Sequence, residues 1–101
     1  MKNHVLTFHQ DGGHGWLQAP YRLLLDYDVE TLISDYSYIQ GSTVYLEEDA
    51  DAQVLTRAIL AAGDRITEHS EHHDTPCFIR NLDRYRPKVY KQIDSVEEIN
   101  K

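Results

Sequence analysis

The chain has a single cysteine, Cys77, and that scarcity excludes an internal disulfide and any cysteine-rich zinc module. No apolar run approaches the roughly 18 residues of a membrane-spanning helix. The N-terminus lacks the apolar stretch of a secretory signal. A cytoplasmic location in a bacterial host cell is therefore expected, with no membrane partner. Neither G-x-G-x-x-G nor G-x-x-x-x-G-K-[ST] occurs, and no lysine follows the one glycine cluster, so no phosphate cradle is expected. Basic residues are scarce through the middle. Asp26–Asp74 holds twelve acids against Arg57 and Arg65, a segment charge of −10 within a formal charge of −7 for the whole chain. Binding to duplex DNA needs several phosphate-neutralising cations, so direct nucleic-acid binding is not expected. The late cluster Arg80, Arg84, Arg86 and Lys88 is its only candidate carrier, and Arg80 and Arg84 serve equally to cover the chain's own acids.

What is present suffices for one domain. The chain has 101 residues, within the usual range for a single domain. Leu, Ile, Val and Phe make up about a quarter of it, above the ~20% that marks disorder. A chain this short buries only ~60–70% of its unfolded surface. A ligand site would then be a surface cleft, a rim between elements or an oligomer interface.

Alternation predicts a strand over Val5–Gln10, with Leu6 and Phe8 on one face. The turn signal Asp11-Gly12-Gly13 follows, since glycine tolerates positive φ and aspartate bonds to local backbone. A second strand over Gly15–Ala19 then completes a hairpin. Pro20 suits the first position of a short helix, Tyr21–Tyr27, with Leu24 and Leu25 inward. Val29, Leu32 and Ile33 are expected to fold back onto the sheet. Asp35–Ile39 and Ser42–Glu47 form a second hairpin around Gln40-Gly41, with Val44 and Leu46 on one face and Tyr45 on the other, outer one. The best helix is Asp51–Ala62. Its apolar stripe is Val54, Leu55, Ala58, Ile59 and Ala62, with Asp49 or Asp51 as its cap and Gly63 as its stop. Ile66–Ser70 reads as an edge strand, His72–Pro76 as loop, and Phe78–Tyr85 as a helical turn with Phe78, Ile79 and Leu82 inward. These elements predict an α+β domain over residues 1–86. Its small antiparallel sheet is two hairpins plus an edge strand, with two or three short helices on one face. Residues 87–101 form a polar C-terminal tail or short helix.

Three constellations could carry function. His9, Asp11 and His14 share one turn, and two imidazoles with a carboxylate suit Zn²⁺ or another divalent transition metal. The spacing matches no zinc motif, and Asp11 capping a tight turn explains the same residues without an ion. Glu68–Asp74, with His72 and His73, reads as solvated loop, and Cys77 beside Phe78 as a small buried hydrophobe. Trp16, Tyr36, Tyr38 and Tyr45 supply large contact area with polar tips, as recognition surfaces do. With Glu47, Glu48, Asp49 and Asp51 beside them they make an acidic, Tyr-rich face suited to a protein partner or a homodimer.

His9-Gln10-Asp11-Gly12-Gly13-His14-Gly15-Trp16-Leu17, Tyr36-Ser37-Tyr38 and Val44-Tyr45-Leu46-Glu47-Glu48-Asp49 together resemble small proteins encoded by bacteriophages, plasmids and related mobile elements. The likeness spans roughly residues 5 to 85, and no residue role transfers with it. It implies company with small acidic proteins that block host defences, of the anti-CRISPR and antirestriction kind, which occupy a partner's surface. The expectation is a binding protein without cofactor or catalytic residues. It would engage a host or phage protein, including a nucleic-acid-binding one, through Tyr36, Tyr38, Tyr45, Glu47, Glu48, Asp49 and Asp51. The alternative is a metal-binding protein or small metal-dependent enzyme using His9, Asp11 and His14.

Overall fold

The alternating segments pair as two antiparallel hairpins. β1 (Asn3–Gln10) turns into β2 (Gly15–Pro20), and β3 (Tyr38–Gln40) turns into β4 (Thr43–Glu47). β2 and β4 pair with each other, joining the hairpins into one sheet. The register Phe8↔Leu17, Leu17↔Leu46 and Ala19↔Val44 stacks apolar side chains on one face. Two helices cover that face: α1 (Tyr21–Asp26) through Leu23 and Leu24, and α2 (Asp51–Ala61) through Ala52, Leu55 and Ile59. The computed structural model describes residues 1–74 and 76–88. The tail beyond Lys88, with Val89, Ile93, Val96 and Ile99, and Thr75 of the expected loop lie outside the described residues.

The class is α+β, as the element order implies, but the sheet is mixed. Its six strands run β5-β1-β2-β4-β3-β6, with β5 (Arg65–His72) and β6 (Asp83–Arg84) at the edges. β5 pairs parallel with β1, from Asn3↔Arg65 to Gln10↔His72. This corrects the all-antiparallel expectation. α2 carries the chain from β4 past β2 and β1 to the far edge, and a strand–helix–strand crossover returns in the starting direction. Alternation reveals a strand but not its neighbour.

Local signals behave with equal specificity. After α2, the Gly63 N–H donates to the Leu60 carbonyl and the Asp64 N–H to the Ile59 carbonyl, with φ +81° at Gly63. That is a Schellman stop, which needs a left-handed residue. Gly12 and Gly13, by contrast, do not have positive φ. Their turn is set by Asp11, whose Oδ1 accepts the Gly13 and His14 N–H groups, both at 3.0 Å. Gly15 is small for another reason: a Cβ there would run into the Phe8 ring.

Most inward assignments hold, Leu24, Val29 and Ile33 among them, but Leu25 and Leu32 do not. Leu23 and Leu24 are buried whereas Leu25 is exposed, and Val29 and Ile33 are buried whereas Leu32 is exposed. Neither Asp49 nor Asp51 caps α2. The residue at the cap is Ala50, and the Glu47 carboxylate accepts the Asp49 and Ala50 N–H groups at 2.9 and 3.1 Å. Phe78–Asn81 forms a 3-10 turn with Ile79 buried and Phe78 half-exposed, and the chain then extends into β6 instead of continuing as a helix.

Candidate functional site

The strand positions that alternate with the core positions project to the sheet's second face: His9 of β1, Trp16 and Gln18 of β2, Tyr45 and Glu47 of β4, and Tyr38 of β3. This face is covered by chain following β5. Cys77 and Ile79 pack on Trp16 and Tyr45, with Tyr38 and Leu82 around them. Tyr45 therefore lies opposite Val44 and Leu46 as expected, yet is only 5% exposed. Burial also pushes its hydroxyl pKa up. It is core of the second face, and no partner could reach it as part of an exposed surface.

Asp11 fastens that covering segment. Its Oδ2 accepts the Cys77 N–H at 3.0 Å and Arg80 Nε at 2.7 Å, and its Oδ1 accepts Arg80 Nη2 at 2.8 Å. The paired guanidinium, followed by the Cys77 and Gly13 N–H groups, holds the Asp11 carboxyl well below the usual carboxylate range. The pairing in turn raises the Arg80 pKa. Counting the Gly13 and His14 N–H groups, Asp11 takes five hydrogen bonds, against about four lone-pair positions on a carboxylate. Nothing is left for a metal. His14 is exposed and sits beside Trp16 at 6.1 Å between ring centroids. The set His9, Asp11 and His14 does not assemble as a metal site, because the ion pair with Arg80, sixty-nine positions away, consumes its carboxylate.

His9 instead turns to residues from the far edge. It is 5% exposed, with Nε2 2.6 Å from Gln18 Oε1 and Nδ1 3.1 Å from His73 Nε2. Glu71 Oε2 lies 3.5 Å from the same Nδ1. One ligand atom each of His9, His73 and Cys77 falls within 4.8 Å of the others. Parallel pairing builds this cluster. His9 registers with Glu71, and the His73 N–H continues the ladder by donating to the Gln10 carbonyl at 2.8 Å. Alternation then brings Glu71 and His73 to the side of His9. Extending the strand pattern of Ile66–Ser70 by three residues would have been the one sequence signal for His73.

At the other end of the covering segment, Trp16, Tyr36, Tyr38, Glu47, Asp49 and Arg84, with His14, Ala50 and Arg80, line an open groove of about 490 Å³. Arg80 stacks over Trp16 at 5.3 Å and Arg84 over Tyr38 at 4.8 Å, so the walls are aromatic faces capped by cations. Tyr36, at 69% exposure, stands on the rim. Four of the residues read as a binding face thus meet: Tyr36, Tyr38, Glu47 and Asp49. Glu48 lies elsewhere, beside Phe8, Ala52 and Gln53 on the helical side. Asp51 is 3% exposed and accepts the Ser34 N–H, the Ser34 hydroxyl at 2.7 Å and the Ser37 hydroxyl at 2.5 Å. It pins the 34–37 loop to α2 and presents nothing to a partner. The arginines of the groove reach these tyrosines only through tertiary contacts: Arg84 through β6 pairing with β3, Tyr38↔Arg84, and Arg80 through its ion pair with Asp11.

No helix among the described residues is long and apolar enough to cross a membrane. Compared with protein-family models, curated proteins and solved structures, the chain matches none.

Proposed function

We propose that this is a binding protein of the kind mobile elements use against their hosts, acting by occupying a host defence or regulatory protein rather than by catalysis. The observation that carries the reading is the groove, where exposed Tyr36 and part-buried Tyr38 share a lining with Glu47, Asp49 and Arg84, next to buried Trp16. Exposed aromatic side chains offer large contact area at low entropic cost, and such residues dominate interface energetics. The partner that fits is a protein segment with an aromatic or apolar anchor next to basic residues. The anchor would enter among the rings and the basic residues would meet Glu47 and Asp49, steered by the net charge of −7. A DNA-mimicking surface has less support, because Asp51 is buried, the Glu47 carboxylate is engaged by the Asp49 and Ala50 N–H groups and Glu48 faces the other side.

Capture from host lysate, read by native mass spectrometry, tests this. The wild-type chain should retain a partner that Tyr36→Ala and Asp49→Lys release. Recovery of free monomer alone, or equal retention by both variants, would refute it. A homodimer broken by the same two variants would move the function of the groove to self-association.

A further inference from the structure

Independently of the groove, we propose that His9, His73 and Cys77 form a Zn²⁺ site that fastens the segment after β5 onto the sheet. The donors come from three separated stretches: the end of β1, the residue following β5, and the start of the covering segment. Their ligand atoms nevertheless converge within 4.8 Å. The 3.1 Å between His9 Nδ1 and His73 Nε2 is close to the edge of a tetrahedron with Zn–N bonds of about 2.0–2.1 Å. Two imidazoles and a thiolate are the borderline-soft set that zinc takes.

The surroundings orient the donors. Gln18 Oε1 lies 2.6 Å from His9 Nε2, an acceptor that favours the Nε2–H tautomer and leaves Nδ1, 3.1 Å from His73 Nε2, as the donor to the ion. Zinc-binding histidines are commonly held in this way by an outer acceptor. Asp11 fixes the Cys77 backbone through its N–H at 3.0 Å, so the carboxylate first read as a ligand acts behind the site instead. Glu71, half-exposed and 3.5 Å from His9 Nδ1, lies beside the three converging donors but outside their group, so it supplies a nearby negative charge and the fourth position falls to water. Cys77 releases its thiol proton to solvent on binding. The thiolate ligand and the neighbouring Glu71 carboxylate then offset the two charges of the ion beside a 1%-exposed cysteine.

The test uses the full chain purified without a histidine tag, stripped with chelator and titrated with Co²⁺, then with Zn²⁺ in competition. One equivalent should bind, with tetrahedral ligand-field bands and a near-ultraviolet thiolate-to-cobalt transition that Cys77→Ser abolishes. His73 is only part-buried, so His73→Ala keeps the fold, checked by circular dichroism, and should weaken Zn²⁺ binding at least as much as loss of an outer partner. Gln18→Ala should weaken it by about 10–100-fold, and Gln18→Glu, which keeps the acceptor, should recover it. His14→Ala should leave affinity unchanged. Absence of stoichiometric binding, a bound ion without the thiolate transition, or affinity unmoved by His73→Ala would each overturn the site.

Discussion

Asp51→Ala is the perturbation that most directly separates a surface acid from a structural one. The substitution removes the only acceptor for the Ser34 N–H, the Ser34 hydroxyl and the Ser37 hydroxyl among the described contacts. Ser37 is fully buried, and its oxygen also accepts the Glu47 N–H at 2.9 Å, so it cannot swing out to water. Its orphaned hydroxyl costs about 1–3 kcal/mol. Ser34 is part-buried and partly rescued by solvent, which adds roughly 1 kcal/mol for the net loss of its bonds. The sum is about 2–4 kcal/mol, a large share of the ~5–15 kcal/mol that holds a domain together. At about 4–8 °C per kcal/mol for a domain of this size, Tm should fall by about 10–30 °C. Trp16, the only tryptophan and 3% exposed, gives a fluorescence signal for urea unfolding that circular dichroism can corroborate. Asp49→Ala, at an exposed position, should stay within about 0.5 kcal/mol of wild type. If Asp51→Ala unfolds at the same urea concentration as Asp49→Ala, the buried-network account of Asp51 is wrong.

Gly15→Ala should destabilise by about 1–3 kcal/mol through overpacking against Phe8, and trimming the ring in Gly15→Ala/Phe8→Leu should recover part of that loss in the same urea assay. Tyr36→Ala should stay within about 0.5 kcal/mol of wild type, about 2–4 °C in Tm, while Tyr45→Ala, costing about 3–5 kcal/mol, lowers Tm by more than about 10 °C, because one ring stands in solvent and the other is core. The Tyr27 hydroxyl donates to Asp64 Oδ2 at 2.6 Å, and that bond pushes its pKa from 10.0 up to about 12. The folded state therefore favours the neutral phenol. Its contribution is complete below pH 10 and is lost as pH rises toward 12, so Tyr27→Phe should flatten the alkaline limb of stability against pH. Asp64 is held low by the same bond. Its contribution is present at neutral pH and lost as pH falls below the ordinary carboxylate range, and Tyr27→Phe should shrink that acid-side loss as well.

Period-2 alternation placed both hairpins. Helical spacing with Gly63 placed α2 and its stop, and weak apolar content placed β5 at an edge. These are local properties, set within a few residues by side-chain period and backbone sterics, and a linear reading reaches them. Sites behaved differently. His9, Asp11 and His14 are neighbours in the chain but not in function: Asp11 was claimed by Arg80, and His9 by residues of β5 and beyond. Tyr45 alternated to the outer face as read, but whether an outer face meets water depends on what folds over it, and residues 76–82 do.

Composition and pattern by themselves determined the α+β class, the acidic character and the list of residues able to carry chemistry. Only tertiary structure decided which of them meet. The parallel return of β5 onto β1 and the Asp11–Arg80 pair join positions more than sixty residues apart. Such joins follow from burial and charge pairing summed over the whole chain, which no local period encodes.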